Sequence, residues 1–335
     1  MQTRLTTLLG IEHPVMLAGM GGVSYAPLVA AVSEAGGFGT LGASTMGRDG
    51  MIAEMREVRK LTGRGFGVDL LTAMPGDLEH QVQTLIEEGA SVFVAALGVP
   101  TTVVDMCHDA DVLVVNMCGK VEHARRALDA GCDLVVAQGT EAGGHTGTVA
   151  TMPLVPQVVD AVGEHIPVVA AGGIFDGRGL AAALALGADG VWVGTRFIAT
   201  PEARAVTGYK EALVSAQEDS TVVSRAYSGK TMRVLRNSYT KYFDEHPDEL
   251  QAFPAQLGRS ISDGALHLGG RDDDLGSGVI DPDRECYPAG QGTGGIEQLV
   301  PAGELVRRFV EEAEAVLAGL GAFARPSSPK SAQLP

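Results

Sequence analysis

Eight short apolar runs, separated by longer amphipathic stretches, are the feature that most restricts how this chain can fold. Each run is rich in valine or leucine and nearly continuous in hydrophobicity, which is typical of parallel strands buried on both faces. The runs cover residues 14–17, 39–42, 65–71, 92–96, 112–116, 134–138, 167–173 and 191–194. Because helical stretches alternate with them, the pattern favours an α/β fold of the (β/α)8 TIM-barrel type over an open sheet.

A weak internal repeat supports this prediction. The segments EAGGFGTLG, EEGASVFVA, DAGCDLVVA and ALGADGVWVG each join the end of a helix, a glycine and a strand. The glycines are Gly36, Gly89, Gly131 and Gly187. Since glycine adopts the left-handed conformation that ends a helix without steric cost, these positions are predicted helix C-termini.

A change of pattern after about residue 220 sets the predicted domain boundaries. Residues 1–220 are expected to form the barrel. Residues 221–300, with short polar helical pieces and glycine-rich segments, are expected to form a smaller inserted domain after strand eight, over one mouth of the barrel. A helix within 301–322 is predicted to return to the barrel wall, and residues 323–335 to be a disordered tail.

Charge and composition argue against several classes of protein. The formal net charge is −16, whereas binding to nucleic acid or to an anionic membrane surface requires a basic face. No apolar run approaches the ~20 residues of a membrane helix, and the N-terminal stretch does not have the pattern of a signal peptide. Four cysteines without a C-x-x-C pair give little support to a zinc or redox site. We therefore expect a cytoplasmic protein without a metal centre.

Two glycine-rich loops predict an anion site at the ends of the last two strands. AAGGI (170–174) ends the seventh predicted strand and VGTRF (193–197) ends the eighth, and each leads into a helix. Backbone amides in such loops can approach an anion closely, helix N-termini add a favourable dipole, and barrels commonly bind phosphate at this place. The phosphate would belong to a flavin mononucleotide or to a sugar-phosphate substrate; tight turns without a ligand are the simpler alternative.

Two other motifs receive a structural interpretation. Matches to G-x-G-x-x-G occur at 37–42 and 290–295, but neither lies in the strand–turn–helix context of a dinucleotide-binding fold. The acidic run 272–274 could bind a cation, although a solvated loop is the more common role of such a run.

A histidine in a glycine-rich loop is the main catalytic candidate. His145 follows Gly143 and Gly144 just beyond the sixth predicted strand, on the same face as the two phosphate loops. No further His, Cys or Asp lies close at zinc-ligand spacing. Because imidazole exchanges a proton near neutral pH, acid–base chemistry is favoured over a packing role. The other seven histidines have no comparable setting.

Several longer motifs, in order along the chain, resemble the nitronate monooxygenase (2-nitropropane dioxygenase-like) family and the related flavin-dependent enoyl-acyl-carrier-protein reductases. The resemblance covers about residues 5–320. Its segments are PVMLAGMGGVS (14–24), GFGVDLL (65–71), AQGTEAGGHTG (137–147), IPVVAAGGIFDG (166–177) and GADGVWVGTRFIAT (187–200). It implies a (β/α)8 barrel with a smaller inserted domain and non-covalently bound FMN.

The resemblance also implies roles for individual residues. Those that would hold the FMN phosphate are Gly172, Gly173, Gly194 and Thr195. Those that would lie against the flavin ring near its N5 edge are Ala18, Gly19 and Met20. Those that would flank the ring and the ribityl chain are Gln138, Gly143 and Gly144. His145 would act as a base, or orient substrate, in front of the flavin.

Two positions depart from the family pattern. Asp69, which we include among the cofactor-binding residues, stands where asparagine is usual, and Gly19 stands where proline is common. An ionised aspartate accepts hydrogen bonds but donates none, so it would change the flavin contacts or the preferred charge of the substrate. Glycine leaves the backbone at position 19 less constrained.

Three functions stay open, and we favour the first. In the first, an FMN-dependent enzyme of the nitronate monooxygenase type oxidises small alkyl nitronates with dioxygen, and His145 abstracts or guides the proton alpha to the nitro group. In the second, an NAD(P)H- and FMN-dependent reductase acts on an enoyl thioester of acyl-carrier protein or CoA. In the third, the chain is a non-flavin barrel, such as a sugar-phosphate isomerase or lyase, or a binding module. The physiological substrate and the oligomeric state, including a homodimer, are not fixed by the sequence.

Overall fold

A closed sheet of eight parallel strands forms the centre of the structure. The computed structural model describes residues 1–72, 77–99, 101–267 and 280–321. The eight strands are β1 (Val15–Leu17), β2 (Gly39–Gly42), β3 (Phe66–Leu71), β4 (Val92–Ala96), β5 (Leu113–Cys118), β6 (Leu134–Gln138), β8 (Val168–Ala171) and β9 (Gly190–Val193). A short strand, β7 (Gly144–His145), lies between β6 and β8 in the chain but outside this sheet.

The strand order shows a (β/α)8 barrel, as predicted. The order is β1-β9-β8-β6-β5-β4-β3-β2, and a parallel bridge between Met16 of β1 and Phe38, just before β2, joins the two edges. At this seam the amide of Leu17 donates to the carbonyl of Phe38 at 2.8 Å, and the amide of Phe38 donates to the carbonyl of Val15 at 2.9 Å. Each of the eight predicted strands overlaps one barrel strand.

Helices alternate with the strands. The helices of the barrel region are α1 (Arg4–Leu9), α2 (Ala26–Glu34), α3 (Arg48–Leu61), α4 (Leu78–Glu87), α5 (Val104–His108), α6 (Val121–Asp129), α7 (Thr151–Val162), α8 (Gly177–Ala185), α9 (Thr195–Ile198) and α10 (Thr207–Ser215). Helices α11 (Ser238–Glu245), α12 (Ala255–Ser262) and α13 (Ala302–Gly321) follow. Within the described ranges, no helix combines the length and the apolar content needed to cross a membrane.

The four repeated glycines all end helices, as predicted. Gly36, Gly89, Gly131 and Gly187 have φ values of +86°, +74°, +87° and +91°. In every case the helix stops two residues before the glycine and the next strand starts three residues after it. The left-handed glycine therefore turns the chain from helix to strand in the same way four times.

The N-terminal mouth of the barrel is filled by α1. Leu5 is fully buried and packs in the barrel interior with Met16, Phe38 and Trp192. Arg4 holds the helix in place, because its guanidinium lies 2.9 Å from the carboxylate of Asp189, just before β9. This mouth is closed, which leaves the C-terminal mouth for a ligand.

A second, smaller layer lies over the C-terminal mouth. Strands β10 (Thr221–Ser224) and β11 (Met232–Leu235) form an antiparallel sheet with β7 in the order β10-β11-β7. Tyr227, Tyr239 and Phe243 pack as a separate apolar cluster, with ring centroids 5.2 Å apart for both neighbouring pairs. The predicted boundaries at 220 and 300 stay predictions, since β7 comes from the barrel segment but pairs with the segment beyond it.

The last described helix packs on the barrel wall. Helix α13 contacts α8 and α2, and the ring of Phe309 stacks on that of Phe197 with centroids 6.4 Å apart. The expected tail at 323–335 and the acidic run at 272–274 both lie outside the described residues.

Removing the Phe309 ring tests how much this helix stabilises the barrel. Phe309 is 1% exposed, so Phe309→Ala leaves a cavity between α13 and the barrel wall. We expect the free energy of unfolding, measured by urea denaturation, to fall by about 3 kcal/mol. Leu320→Ala on the same helix removes a side chain that is 52% exposed and should change stability by less than about 0.5 kcal/mol. Equal losses in the two variants would contradict this role for α13.

Candidate active site

One cavity at the C-terminal ends of the barrel strands contains every site residue predicted from the sequence. Its volume is about 990 Å³. The predicted residues that line it are Ala18, Gly19, Met20, Asp69, Gln138, Gly143, Gly144, His145, Gly172, Gly173, Gly194 and Thr195. Their individual roles stay predictions, but the structure brings all of them together.

Glycines allow the loops around this cavity to pack backbone against backbone. Gly172 and Gly173 have φ values of +109° and +73°, which residues other than glycine rarely adopt. A Cβ atom at Gly172 would lie 2.7 Å from Oγ1 of Thr151, and one at Gly143 would lie 2.8 Å from the backbone of Ala289. The result is a cradle of exposed main chain with no room for side chains.

A third glycine segment completes this cradle, and sequence analysis missed its role. The amide of Gly290 donates to Oγ1 of Thr195 at 2.9 Å, and the amide of Gln291 donates to the carbonyl of Glu141 at 2.9 Å. The motif GQGTGG (290–295) has no βαβ unit, so the rejection of a dinucleotide-binding interpretation was sound. Its density of glycines was the available signal that the chain passes close to another backbone here.

The first turn of α8 is not free to bind a ligand. The carboxylate of Asp176 accepts from the amides of Arg178 at 3.0 Å and Gly179 at 3.3 Å, and so caps the helix. The positive end of the α8 dipole therefore already interacts with the negative charge of Asp176. An anion at this end of the cavity would be held by the loop amides and by the start of α9.

The loop that carries His145 is held from two sides. Strand β7 pairs with β11, so that Gly144 lies opposite Arg233 and His145 opposite Met232. From the barrel side, the amide nitrogen Nε2 of Gln138 donates to the carbonyl of His145 at 2.7 Å. These contacts fix the backbone of His145 between the barrel and the inserted segment.

The surroundings of the His145 imidazole favour its neutral form. Its Nε2 atom lies 3.0 Å from Oγ of Ser228, a buried residue that sequence analysis did not select. Burial lowers the pKa of His145, and the positive charge of Lys230 lowers it further. Both causes favour the neutral imidazole, which is the form of a general base.

Asp69 is a neutral acid rather than the carboxylate expected from the sequence. It is 6% exposed, and burial alone raises its pKa to about 8, because no ion pair or hydrogen bond within the described ranges stabilises its charge. A protonated carboxyl donates as well as accepts, as the asparagine usual at this position does. The expectation of an acceptor-only group was wrong because it ignored the cost of burying a charge.

The two departures from the family pattern meet at one point. A Cβ atom at Gly19 would lie 2.2 Å from Cβ of Asp69. Position 19 therefore accepts a side chain only if the main chain or Asp69 shifts. Glycine at 19 and the position of Asp69 are coupled by this close approach.

The cavity also contains charged residues that the sequence did not single out. They are Lys120, His123, Arg126, Arg204, Lys230, His267 and Glu285. His123 and His267, which have no setting comparable to that of His145 in the sequence, thus also line the cavity. His267 pairs with Glu285, whose carboxylate is 2.6 Å from Nδ1 of the ring, and burial raises the pKa of Glu285.

A barrel with a glycine cradle and a neutral histidine at its C-terminal mouth is the architecture of a cofactor- or substrate-binding enzyme. The family model described as nitronate monooxygenase matches residues 2–312. The chain therefore belongs to the nitronate monooxygenase family and is an oxidoreductase.

Individual relatives carry different names. A Mycobacterium tuberculosis protein named "(3aS,4S,5R,7aS)-5-hydroxy-7a-methyl-1-oxo-octahydro-1H-indene-4-carboxyl-CoA dehydrogenase" is 42% identical over 77% of this chain and 72% of its own length. A "probable nitronate monooxygenase" of Staphylococcus saprophyticus is 34% identical over 76% of this chain and 84% of its own. The solved structure of FabK from Thermotoga maritima superposes with a TM-score of 0.86 at 35% identity, over 96% of this chain and 99% of FabK.

Replacement of the buried acid tests its protonation state. The raised folded pKa means that the stability contributed by Asp69 is present below the unfolded pKa near 3.8 and is lost as the pH rises towards 8. Asp69→Asn removes this loss, so we expect the free energy of unfolding to rise by on the order of 3 kcal/mol at pH 7 and to change little at pH 4. Urea denaturation at the two pH values measures this. Asp160→Asn, an exposed position on α7, is the control, and a gain independent of pH would contradict the protonation state.

Removal of the Lys230 charge tests what sets the proton affinity of His145. Because that charge lowers the pKa of the imidazole, Lys230→Gln should raise the pKa of His145. An NMR titration of the His145 ring measures the shift directly. Lys241→Gln, 74% exposed on α11, is the matched control. A pKa that is unchanged or lowered in Lys230→Gln would show that this lysine does not act on His145.

Proposed function

We propose that the protein is an FMN-dependent oxidoreductase of the nitronate monooxygenase type, which oxidises small alkyl nitronates with dioxygen. The observation that carries the proposal is the position of a partly buried, neutral His145 in the same cavity as a side-chain-free glycine cradle. Family membership supports the redox chemistry. A cytoplasmic location and a homodimer stay predictions.

The residues present fit such a cofactor. Gly172 and Gly173 place main chain without side chains in the lining of the cavity, which suits close contact with a phosphate. The cavity of about 990 Å³ lies at the upper end of the roughly 300–1,000 Å³ typical of ligand sites, which leaves room for a substrate beside the cofactor. Asp69, as a neutral acid, would offer the cofactor a hydrogen-bond donor from the barrel side.

The chain would supply binding, position and proton transfer. The flavin, when bound, would accept the electrons of the substrate and pass them to dioxygen. A neutral nitroalkane would lose the proton alpha to its nitro group to the neutral His145, which gives the nitronate that is then oxidised, and the Ser228 hydroxyl beside Nε2 would orient the ring during the transfer. Pairing of β7 with β11 would keep the ring in place, and the inserted segment would limit the access of water.

A second candidate is an NAD(P)H- and FMN-dependent reductase of enoyl thioesters. Two observations favour it: the cavity is larger than a small nitronate needs, and the relative of 42% identity is named as a dehydrogenase of a CoA ester. His145 would then have to take up a proton first and deliver it to the double bond as this is reduced, rather than remove a proton from the substrate. Anaerobic bleaching of the bound flavin by NAD(P)H, together with no turnover of nitronates, would favour this candidate over the first.

A visible spectrum and one variant test the shared part of both candidates. Purified protein supplied with FMN should show flavin absorbance, and His145→Ala should keep that absorbance while turnover falls by roughly 100- to 10,000-fold. His80→Ala, an exposed position on α4 outside the cavity, should retain full activity. A colourless protein that takes up no FMN would overturn the proposed cofactor, and unchanged turnover in His145→Ala would overturn the role of the histidine.

A further inference from the structure

The lining of the cavity has more basic than acidic residues, whereas the chain as a whole has more acidic than basic residues. The chain has 25 Lys and Arg against 41 Asp and Glu. The cavity has four Lys or Arg against two acids, Asp69 and Glu285. Asp69 is held neutral by burial and Glu285 is paired with His267, so the acidic residues of the lining contribute little negative charge to the cavity. A positive cavity in an acidic protein concentrates anionic ligands there.

Three of the basic side chains line the cavity at the start of α6, and we name them the α6 rim: Lys120, His123 and Arg126. Lys120 is the extended residue just before the helix, and His123 and Arg126 lie three residues apart on one face of the helix. The side chains of Lys120 and His123 make no hydrogen bond or ion pair within the described ranges. Arg126 pairs with Glu122, but that contact is exposed, with 65% of the Arg126 side chain accessible. An exposed pair of this kind is weak and leaves the guanidinium available.

The α6 rim is separate from the loops proposed to hold the FMN phosphate. Those loops follow β8 and β9, whereas α6 follows β5, which is two strands from β8 and three from β9 in the barrel order. At about 4.8 Å for each strand, the two places are roughly 10–15 Å apart. The rim cations are thus not needed by the cofactor phosphate.

We propose that the α6 rim is a second phosphate-binding site, which holds the adenosine-phosphate end of a co-substrate whose reactive end extends towards His145. Two co-substrates share this chemistry, a coenzyme A thioester and a nicotinamide dinucleotide. The inference rests on the proposed flavin-dependent function and names the class of its second substrate. Guanidinium and ammonium groups bind phosphate oxygens through charge-assisted hydrogen bonds, and the imidazole of His123 adds a further donor.

The test compares two pairs of substitutions that remove the same charge. Lys120→Gln/Arg126→Gln removes two charges from the α6 rim. Lys60→Gln/Arg125→Gln removes two charges from exposed positions outside the cavity, and Arg125 lies on the same helix as the rim. Binding of coenzyme A, dephospho-coenzyme A, NADPH and NADH is measured by calorimetry on the FMN-loaded proteins at low and at physiological salt.

The expected result is a loss of roughly tenfold or more in affinity for at least one phosphate-bearing ligand in the rim variant, and less than twofold in the control variant. The wild-type affinity should fall with added salt more steeply than that of the rim variant. A loss confined to coenzyme A assigns the rim to a thioester, and a loss confined to the dinucleotides assigns it to the reductant.

Equal affinities in the two variants, or no binding of any of these ligands by the wild type, would overturn the second site. FMN content is recorded for every sample. A rim variant that binds FMN normally and retains its affinity for all four ligands would refute only this inference, whereas a wild type without FMN would refute the proposed function.

Discussion

The antiparallel pairing of β7 with β11 is the contact on which the candidate site depends. It joins a loop of the barrel to a strand of the inserted segment, with His145 opposite Met232. A second tie strengthens it, because Nε of Arg233 donates to the carbonyl of Thr140 at 2.8 Å. The position of the histidine is therefore determined by residues far away in the sequence, and the inserted segment is part of the site as well as its cover.

Burial shifts the pKa values of two titratable groups in the cavity lining, His145 and Asp69, in opposite directions. It lowers the pKa of His145 and raises that of Asp69, so both groups are kept neutral. A neutral imidazole can accept a proton, and a neutral carboxyl can donate a hydrogen bond. The same low-polarity surroundings thus provide a base and a donor within one cavity, without an ion pair between them.

The sequence predicts the features that local patterns encode, and it misses those made by contacts between distant segments. Continuous apolar runs and the glycines at Gly36, Gly89, Gly131 and Gly187 were sufficient for the barrel, and the loop after β6 was sufficient to select His145. Ser228 carries no local signal, since its relevance comes from a contact with a residue 83 positions away. The protonation of Asp69 was misjudged for a related reason: burial is a property of the neighbours, which a single position does not reveal.

The shared three-stranded sheet also bears on how enzymes of this architecture can diverge. A loop that only covers a barrel can be exchanged between relatives without disturbing the residues beneath it. Here the covering segment supplies a strand neighbour to the histidine, a hydroxyl to its ring and a lysine that tunes its proton affinity. A change of this segment that admits a new substrate will also alter the surroundings of His145, so the shape of the cavity and the proton affinity of the histidine are inherited together.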